Sequence, residues 1–198
     1  LSSHELNQPG CYKDVTDTTV TVQFEVIKDA KSQPLFGLET LPVYFLAWTT
    51  TPWTLSSNTA LCVGPNIEYV RVKSFNPYTG AEAIYVVAKA LVSEWFSPKA
   101  AGLALEDYKP GDKLIPFKVL DGSFKGSELA GIRYHQLISW FKPIDGDAFR
   151  VITGDYVSTD EGTTGIVHIA PTFGADDKKV ATAAGIGPMM VIDKNGNH

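Results

Sequence analysis

The sequence contains few cysteines and histidines and has no net positive charge, and each of these features counts against a class of function. The two cysteines, Cys11 and Cys62, and the four scattered histidines form no metal-ligand spacing. Two thiols in 198 residues are typical of an intracellular chain without a disulfide framework. The formal net charge of -5 disfavours general nucleic-acid binding, which depends on phosphate neutralisation, so any RNA contact must be local.

Sequence signatures of catalysis and of membrane insertion are missing as well. The chain has no Gly-x-Ser-x-Gly elbow, no phosphate loop with Lys-Ser/Thr and no Gly-x-Gly-x-x-Gly after a strand. Together with the scattered histidines and cysteines, these absences disfavour covalent catalysis and metal catalysis. No apolar run reaches the roughly 18 residues that a membrane span requires. The chain begins at Leu1 and not at Met, so we expect a fragment of a longer protein, and the missing signal peptide carries little weight.

What the sequence does contain is a succession of short apolar or alternating runs. With 44% apolar residues the composition is that of a globular protein. The runs predict strands at 19–26, 43–47, 59–63, 69–73, 83–87, within 119–134, and at 149–152, 156–158, 165–170 and 189–192. Helical spacing predicts a helix at 88–96 and another from Asp176 or Asp177 to about Ala184, closed by Gly185.

These elements predict a fold that is mainly β with some α (α+β). We expect one strand-rich domain over residues 1–198, with a distorted β-barrel core flanked by short helices. Residues 1–19 are polar and are predicted to form an arm that leads into the domain.

The most distinctive stretch, residues 48–58, contains four threonines, two serines and two tryptophans but no charge. Thr51 precedes Pro52 and is pushed away from the helical region, so we predict an ordered loop and not a helix. Such a loop offers many hydroxyls and amides in a small uncharged volume, which suits a pocket for a small polar group. A Thr-rich edge strand with two packed indoles is the alternative that this stretch alone leaves open.

A second informative stretch covers residues 165–177. In a strand, His168 lies on the opposite face from Val167 and Ile169, and a lone strand histidine is more often a hydrogen-bonded structural residue. Asp176 and Asp177 stand at a predicted helix start. One of them can cap the helix, while the other stays ionised beside the helix dipole, ready to pair with an ammonium group.

Taken together, the two stretches resemble the isoleucyl-tRNA synthetases, and specifically the editing domain inserted in their catalytic core. The matching motifs are Trp-Thr-Thr-Thr-Pro-Trp-Thr-Leu-x-x-Asn at 48–58 and Gly-Ile-Val-His-x-Ala-Pro-x-x-Gly-x-Asp-Asp at 165–177. Segments 12–15 and 125–134 also resemble the family, so the resemblance covers nearly the whole chain. The valyl and leucyl relatives carry Thr-Thr-Arg-Pro-Glu/Asp-Thr at the first motif, and the missing Arg and acid here favour the isoleucyl branch.

The sequence departs from the family at Ser56, Thr163 and His135-Gln136, where Pro, Gly and Pro-Leu are usual. These departures concern local loop geometry. The His-Ile-Gly-His and Lys-Met-Ser-Lys-Ser signatures of the synthetic site are absent, so this chain is not expected to activate amino acids by itself.

The resemblance implies hydrolytic editing of mischarged Val-tRNA(Ile), that is, aminoacyl ester deacylation. One methylene separates valine from isoleucine, so a second, smaller site must remove the errors of the synthetic site. The implied partners are the 3′ end of tRNA(Ile) carrying valine and the rest of the synthetase chain, in the cytoplasm and without a membrane. No cofactor or metal is expected for this domain, because ATP and Mg belong to the catalytic core of the full-length enzyme.

The resemblance also implies a role for each candidate site residue. Asp177 binds the α-ammonium group of the substrate and, with Thr50 and Thr51, forms the catalytic set. The substrate-binding set also includes Thr49, Trp53, Thr54, Asn58, His168 and Ala170. In that set the hydroxyls and Asn58 contact the terminal adenosine and position the attacking water, Trp53 lines the pocket, and His168 limits the room for the side chain. No general base is evident, so we expect a positioned water helped by a ribose hydroxyl, without an acyl-enzyme.

Three alternatives remain open from the sequence. A non-catalytic module would bind a tRNA end without hydrolysing the ester. A structural insertion with a decayed pocket would show that pocket closed or blocked. An editing domain directed at threonine on valine tRNA is a near relative, against which the first motif argues.

Overall fold

The computed structural model describes residues 19–191, whose centre is a nine-stranded mixed sheet that forms a half-barrel. The strands are β1 (Val20–Glu25), β2 (Val43–Thr49), β3 (Ala60–Val63), β4 (Glu68–Phe75), β5 (Glu82–Ala88), β6 (Lys118–Val119), β7 (Phe124–Lys125), β8 (Arg150–Thr153) and β9 (Ile166–Ile169). The α-helices are α1 (Gln33–Phe36), α2 (Val92–Trp95), α3 (Gly126–Leu129) and α4 (Ala175–Ala183). Short 3₁₀ helices span Pro52–Ser57, Lys89–Leu91, Pro98–Ala100 and Leu105–Asp107. The expectation of a distorted barrel with short flanking helices is confirmed.

The order of the strands brings the two distinctive stretches together. The sheet runs β6-β4-β5-β2-β9-β3-β8, with β1 paired to β2 and β7 to β4. Strand β9 lies between β2, to which it is parallel, and β3, to which it is antiparallel. The carboxyl ends of β2 and β9 and the amino end of β3 therefore share one edge. The Thr-rich connection from β2 to β3 and the segment that follows β9 both emerge at that edge.

The core is the buried side of this sheet. The largest fully buried side chains include Tyr69, Tyr134, Phe24 and Phe45. Tyr69 donates its hydroxyl hydrogen to the Gly165 carbonyl at 2.6 Å and thereby fixes the backbone just before β9. Within the described range, 19–191, no helix combines the length and apolar character needed to cross a membrane.

The first correction concerns residues 48–58, which are not simply a loop. Trp48 and Thr49 extend β2, and Pro52–Ser57 forms a 3₁₀ helix. Thr51 keeps a non-helical backbone (φ -123°, ψ 65°), as expected before proline. Pro52 then occupies the first helical position, where its fixed φ is favourable and its missing N–H is not needed.

Other differences follow from local hydrogen bonding. The helix predicted at 88–96 is shorter, since Ala88 ends β5 and only Lys89–Leu91 and α2 are helical. Within 119–134 the chain forms β7 and then α3, whose start is stabilised because the Glu128 carboxylate accepts the Lys125 N–H at 2.6 Å.

The strands predicted at 156–158 and 189–192 are wrong over the described residues. Tyr156 lies in a turn. The Met189 carbonyl accepts hydrogen bonds from the Thr172 and Ser57 hydroxyls, at 2.6 and 3.3 Å, in place of a strand partner. The predicted arm before residue 19 and the turn after Ile192 lie outside the described residues.

Helix α4 begins at Ala175 with Gly174 as its N-cap, and neither aspartate caps it. Its end matches the expectation, since Gly185 has a φ of +70°. The N–H groups of Gly185 and Ile186 donate to the carbonyls of Thr182 and Ala181 at 3.0 and 2.9 Å. This pair of bonds is a Schellman motif, which satisfies the last carbonyls of the helix.

Replacing Gly165 with Ala should destabilise the fold more than an ordinary glycine substitution. Gly165 has a φ of +74°, and an added Cβ would lie 2.5 Å from the Cβ of Ala88. We expect the free energy of unfolding to fall by about 2–4 kcal/mol, from backbone strain and overpacking together. The matched control is Gly102→Ala, where φ is +88° but no atom lies within 4 Å of the added Cβ, so only strain is introduced. Equal losses in urea unfolding of the two variants would contradict the packing argument.

Candidate functional site

A cavity of about 550 Å³ lies at the edge that β2, β3 and β9 share. Both distinctive stretches line it. Its lining comprises Trp48, Thr49, Thr50, Thr51, Trp53, Thr54, Tyr156, Ser158, Thr163, Thr164, Gly165, Ile166, Val167, His168, Ala170, Phe173, Gly174 and Asp177. The structure thus brings together every predicted site residue except Asn58. The departure at Thr163 does not close the cavity.

The threonine hydroxyls form a connected group on one wall. The Oγ1 of Thr49 accepts the Thr51 N–H at 3.0 Å and lies 3.2 Å from the Thr51 hydroxyl. Thr54 donates its hydroxyl hydrogen to the Thr51 carbonyl at 2.8 Å. Thr50 is exposed at the rim, and Trp53 is 61% exposed beside it. The wall therefore presents hydroxyls and an indole but no formal charge.

His168 stands on β9 and is 6% exposed. Its Nε2 lies 2.8 Å from the Thr54 hydroxyl oxygen, and its Nδ1 lies 3.1 Å from Nδ2 of Asn58. Burial lowers the pKa of His168 from 6.5 to about 4, so the ring is neutral at physiological pH. Both ring nitrogens already have partners, which leaves this histidine poorly suited to serve as a general base.

The buried ring also predicts acid sensitivity. Because the folded-state pKa of His168 lies below the unfolded value of 6.5, the unfolded chain binds the proton more tightly. The stability associated with His168 is complete above pH 6.5 and is lost as the pH falls towards 4, amounting to about 3 kcal/mol. Urea unfolding across this range would measure the effect. His135 is exposed, so His135→Gln should leave the slope unchanged, whereas a flat wild-type profile would contradict the prediction.

Asp177 is the acidic group of the cavity. It lies at the third position of α4, and its side chain turns back over Gly174, where an added Cβ would come within 2.9 Å of the carboxyl carbon. Its Oδ2 accepts the Ala170 N–H at 2.8 Å. Burial raises the pKa of the Asp177 carboxyl, the Ala170 hydrogen bond opposes that shift, and the charge of Asp176 adds to it. Among residues 19–191 no cationic side chain forms an ion pair with Asp177.

Asn58 differs from its predicted role, since it lies behind the cavity wall and is 2% exposed. Its Nδ2 donates to the Ala60 carbonyl at 2.9 Å, and its Oδ1 accepts the Tyr134 hydroxyl at 2.7 Å. A direct contact between Asn58 and a ligand in the cavity is therefore not supported by its position.

The sequence interpretation missed several lining residues. Phe173 lies inside the second motif, so the motif itself could have drawn attention to it. Tyr156 and Ser158 carry no such signal, because their loop reaches the cavity only through the pairing of β8 with β3. Within the part of the chain that the structure describes, no group of three or more His, Cys, Asp or Glu side chains could hold a metal ion.

Comparisons with known proteins find chains similar to this one. No family model matches the chain. It is 61% identical over 196 residues to an isoleucine--tRNA ligase of Bacteroides fragilis, covering 99% of this chain and 17% of that protein. The corresponding ligases of Cytophaga hutchinsonii and Mycobacterium tuberculosis are 59% and 39% identical over 197 residues, again covering at least 99% of this chain. The chain thus spans about a sixth of the length of these relatives.

Solved structures show the same fold. The editing domain of the P. knowlesi cytosolic leucyl-tRNA synthetase aligns with a TM-score of 0.60 and 15% identity, covering 81% of this chain and 60% of that one. GlLeuRS-CP1 aligns with a TM-score of 0.59 and 18% identity, covering 83% and 59%. At this identity the likeness concerns the fold alone.

Proposed function

This chain belongs to the isoleucine--tRNA ligase family as a segment with the fold of a synthetase editing domain, and on that premise we propose that it hydrolyses Val-tRNA(Ile). The reaction adds water to the ester carbonyl and breaks the bond between that carbonyl carbon and the ribose oxygen. The ribose oxygen takes a proton, and free valine and tRNA(Ile) leave. The proposed partners are the 3′ end of tRNA(Ile) and the remainder of the ligase, and the proposed compartment is the cytoplasm.

The observation that carries the proposal is the Asp177 carboxylate facing an uncharged, hydroxyl-lined cavity. A half-buried carboxylate without a cationic partner is stabilised when an ammonium group binds beside it. The ester-linked amino acid brings such a group, because its α-ammonium remains free. An ion pair at Asp177 would also fix the distance from the ammonium to the reacting carbonyl.

The cavity volume suits the rest of the ligand. About 550 Å³ lies in the range of pockets that hold small-molecule ligands, so the volume suits an aminoacylated adenosine. The hydroxyls of Thr49, Thr50 and Thr51 supply donors and acceptors for the ribose and for the water. Trp53, exposed at the rim, offers a flat surface to a base.

The amino-acid side chain would meet His168. A neutral, hydrogen-bonded imidazole is a firm wall, because moving it would break its bonds to Thr54 and Asn58. In this proposal the wall leaves room for valine and excludes the extra methylene of isoleucine. No residue acts as general base, so a positioned water helped by a ribose hydroxyl performs the attack.

The test compares Val-tRNA(Ile) with Ile-tRNA(Ile) as substrates. Both are supplied to this chain and to the Bacteroides fragilis ligase in which this chain replaces the matching segment. We expect release of valine and little release of isoleucine. Equal cleavage of both esters would contradict the size selection, and tight binding without cleavage would identify a non-catalytic module.

A further inference from the structure

We propose that Asn58 and Tyr134 are positioning residues that hold His168 in the Nε2–H tautomer and so leave the Thr54 oxygen as a hydrogen-bond acceptor towards the cavity. The functional part of this inference rests on the function proposed above, whereas the tautomer does not. The argument follows the hydrogen bonds inward from Tyr134 to the cavity wall.

The orientation of the Asn58 amide is fixed by two partners. The Ala60 carbonyl, 2.9 Å from Nδ2, can only accept a hydrogen bond. The Tyr134 hydroxyl, 2.7 Å from Oδ1, donates to it. Turning the amide over would place two oxygens against each other at Ala60, so Nδ2 must be the atom on that side.

The amide nitrogen then determines the state of the histidine. With one N–H on Ala60, the second N–H of Asn58 is directed at Nδ1 of His168, 3.1 Å away. Nδ1 must therefore offer a lone pair, and the neutral ring carries its single proton on Nε2.

The proton on Nε2 in turn determines what Thr54 can do. His168 donates from Nε2 to the Thr54 oxygen at 2.8 Å, and the one hydroxyl hydrogen of Thr54 goes to the Thr51 carbonyl. The Thr54 oxygen then keeps one free lone pair. The nearest remaining donor in the wall for that lone pair is the Thr51 hydroxyl, 3.3 Å away. Thr54 can therefore accept a hydrogen from the attacking water or a ribose hydroxyl, but it cannot donate to a developing oxyanion.

Tyr134 is well placed to restrain this chain of bonds. It is fully buried, and its ring packs edge-on against Phe24 and Phe149, with centroids 5.3 and 6.3 Å away. Its hydroxyl has no route to water, so the bond to Asn58 persists as long as the core is folded.

The tautomer can be observed directly by NMR of ¹⁵N-histidine in the 198-residue chain at neutral pH. We expect one His168 signal set with Nε2 protonated and Nδ1 bare. The isosteric change Asn58→Asp should invert the pattern, because a carboxylate accepts from Nδ1–H. Tyr134→Phe, which keeps the ring, should give a mixture of tautomers. A bare Nε2 in the wild type, or an unchanged pattern in Asn58→Asp, would overturn the assignment of the tautomer. An unchanged pattern in Tyr134→Phe would overturn the positioning role of Tyr134.

Tyr85→Phe is the matched control. Tyr85 is 3% exposed, and its hydroxyl has no hydrogen-bond partner in the described part of the chain. It packs with Leu46 and Ala83 in a cluster separate from that of Tyr134. This variant should keep both the tautomer and the deacylation rate.

Kinetics supply the second readout. For Val-tRNA(Ile), Tyr134→Phe should lower kcat roughly 5- to 100-fold with little change in KM. The variant leaves the buried Oδ1 of Asn58 without its donor, and the resulting shift of Asn58 and His168 misplaces Thr54. An unchanged kcat in this variant would overturn the positioning role while leaving the proposed function intact. If instead the wild type fails to deacylate Val-tRNA(Ile), the proposed function fails, and the NMR experiment still decides the tautomer.

Discussion

Replacing Asp177 with Asn is expected to lower kcat/KM for Val-tRNA(Ile) deacylation by about 100-fold or more, because one partner of a desolvated ion pair is lost. The amide has nearly the volume of the carboxylate, and its oxygen can still accept the Ala170 N–H that now binds Oδ2. The change therefore removes the charge and little else. Deacylation kinetics with Val-tRNA(Ile) measure the effect.

The stability of this variant separates a functional loss from misfolding. Burial raises the pKa of Asp177, so the folded state holds its proton more tightly than the unfolded chain. The stabilising contribution is present at low pH and is lost as the pH rises through the folded pKa. At neutral pH the ionised group opposes folding, and Asp177→Asn should leave the free energy of unfolding unchanged or higher.

Asp176→Asn is the matched control, because it removes one charge from the neighbouring position of the same helical turn. Asp176 is exposed and does not line the cavity. Equal losses of activity in the two variants would contradict a specific ammonium site at Asp177, since a general loss of negative charge would then account for both.

The pH dependence of deacylation provides a further test of the role of Asp177. Its ionised form is the one that binds ammonium, so activity should decline on the acid side as the carboxyl takes up a proton. Because burial raises the pKa, that decline should begin at a higher pH than for an exposed aspartate.

Local patterns in the sequence were sufficient to predict those elements whose partners are close in the chain. The alternation at 19–26 predicts β1, and the runs at 69–73 and 83–87 predict β4 and β5, whose register pairs Tyr69 with Ala88 and Phe75 with Glu82. Gly185 likewise marks the end of α4, because its positive φ is a local requirement.

Pairings between distant segments could not be predicted in this way. Insertion of β9 between β2 and β3 is what joins the two motifs, and its register places His168 opposite Leu61. Nothing in residues 165–170 alone specifies that neighbour. The resemblance identified residues that line the cavity, but their relative positions are set by the pairing of the strands.

Side chains behind the site were the least predictable. Asn58 belongs to the first motif and was expected at the ligand, yet its short side chain is committed to Ala60, Tyr134 and His168. Tyr134 ends the segment 125–134 that resembles the family, but nothing in that segment indicates a role at the site, because a tyrosine after a glycine-rich stretch looks like any core aromatic. Its importance depends on a hydroxyl 2.7 Å from Asn58, which only three-dimensional structure can reveal.

Replacing His168 with Ala should change which ester is cleaved, and this is the second large effect. Removing the imidazole opens the wall at the place where the amino-acid side chain is proposed to lie. Discrimination by one methylene is worth about 10- to 200-fold, so the ratio of Ile-tRNA(Ile) to Val-tRNA(Ile) cleavage should rise by about tenfold or more. The ratio is the correct measurement, because partial unfolding would reduce both rates equally and leave it unchanged.

Thr54→Val distinguishes the wall from the hydrogen bond that supports it. Valine keeps the volume of Thr54 but offers no oxygen to His168, which now lies 2.8 Å from it. If the imidazole acts by occupying space, this variant should slow both reactions together and preserve the ratio. A relaxed ratio in Thr54→Val would mean that the firmness of the ring, set by its bonds, contributes to selection. An unchanged ratio in His168→Ala would show that the size limit lies elsewhere on the wall. The next apolar side chains to test would then be Trp48, Val167 and Phe173.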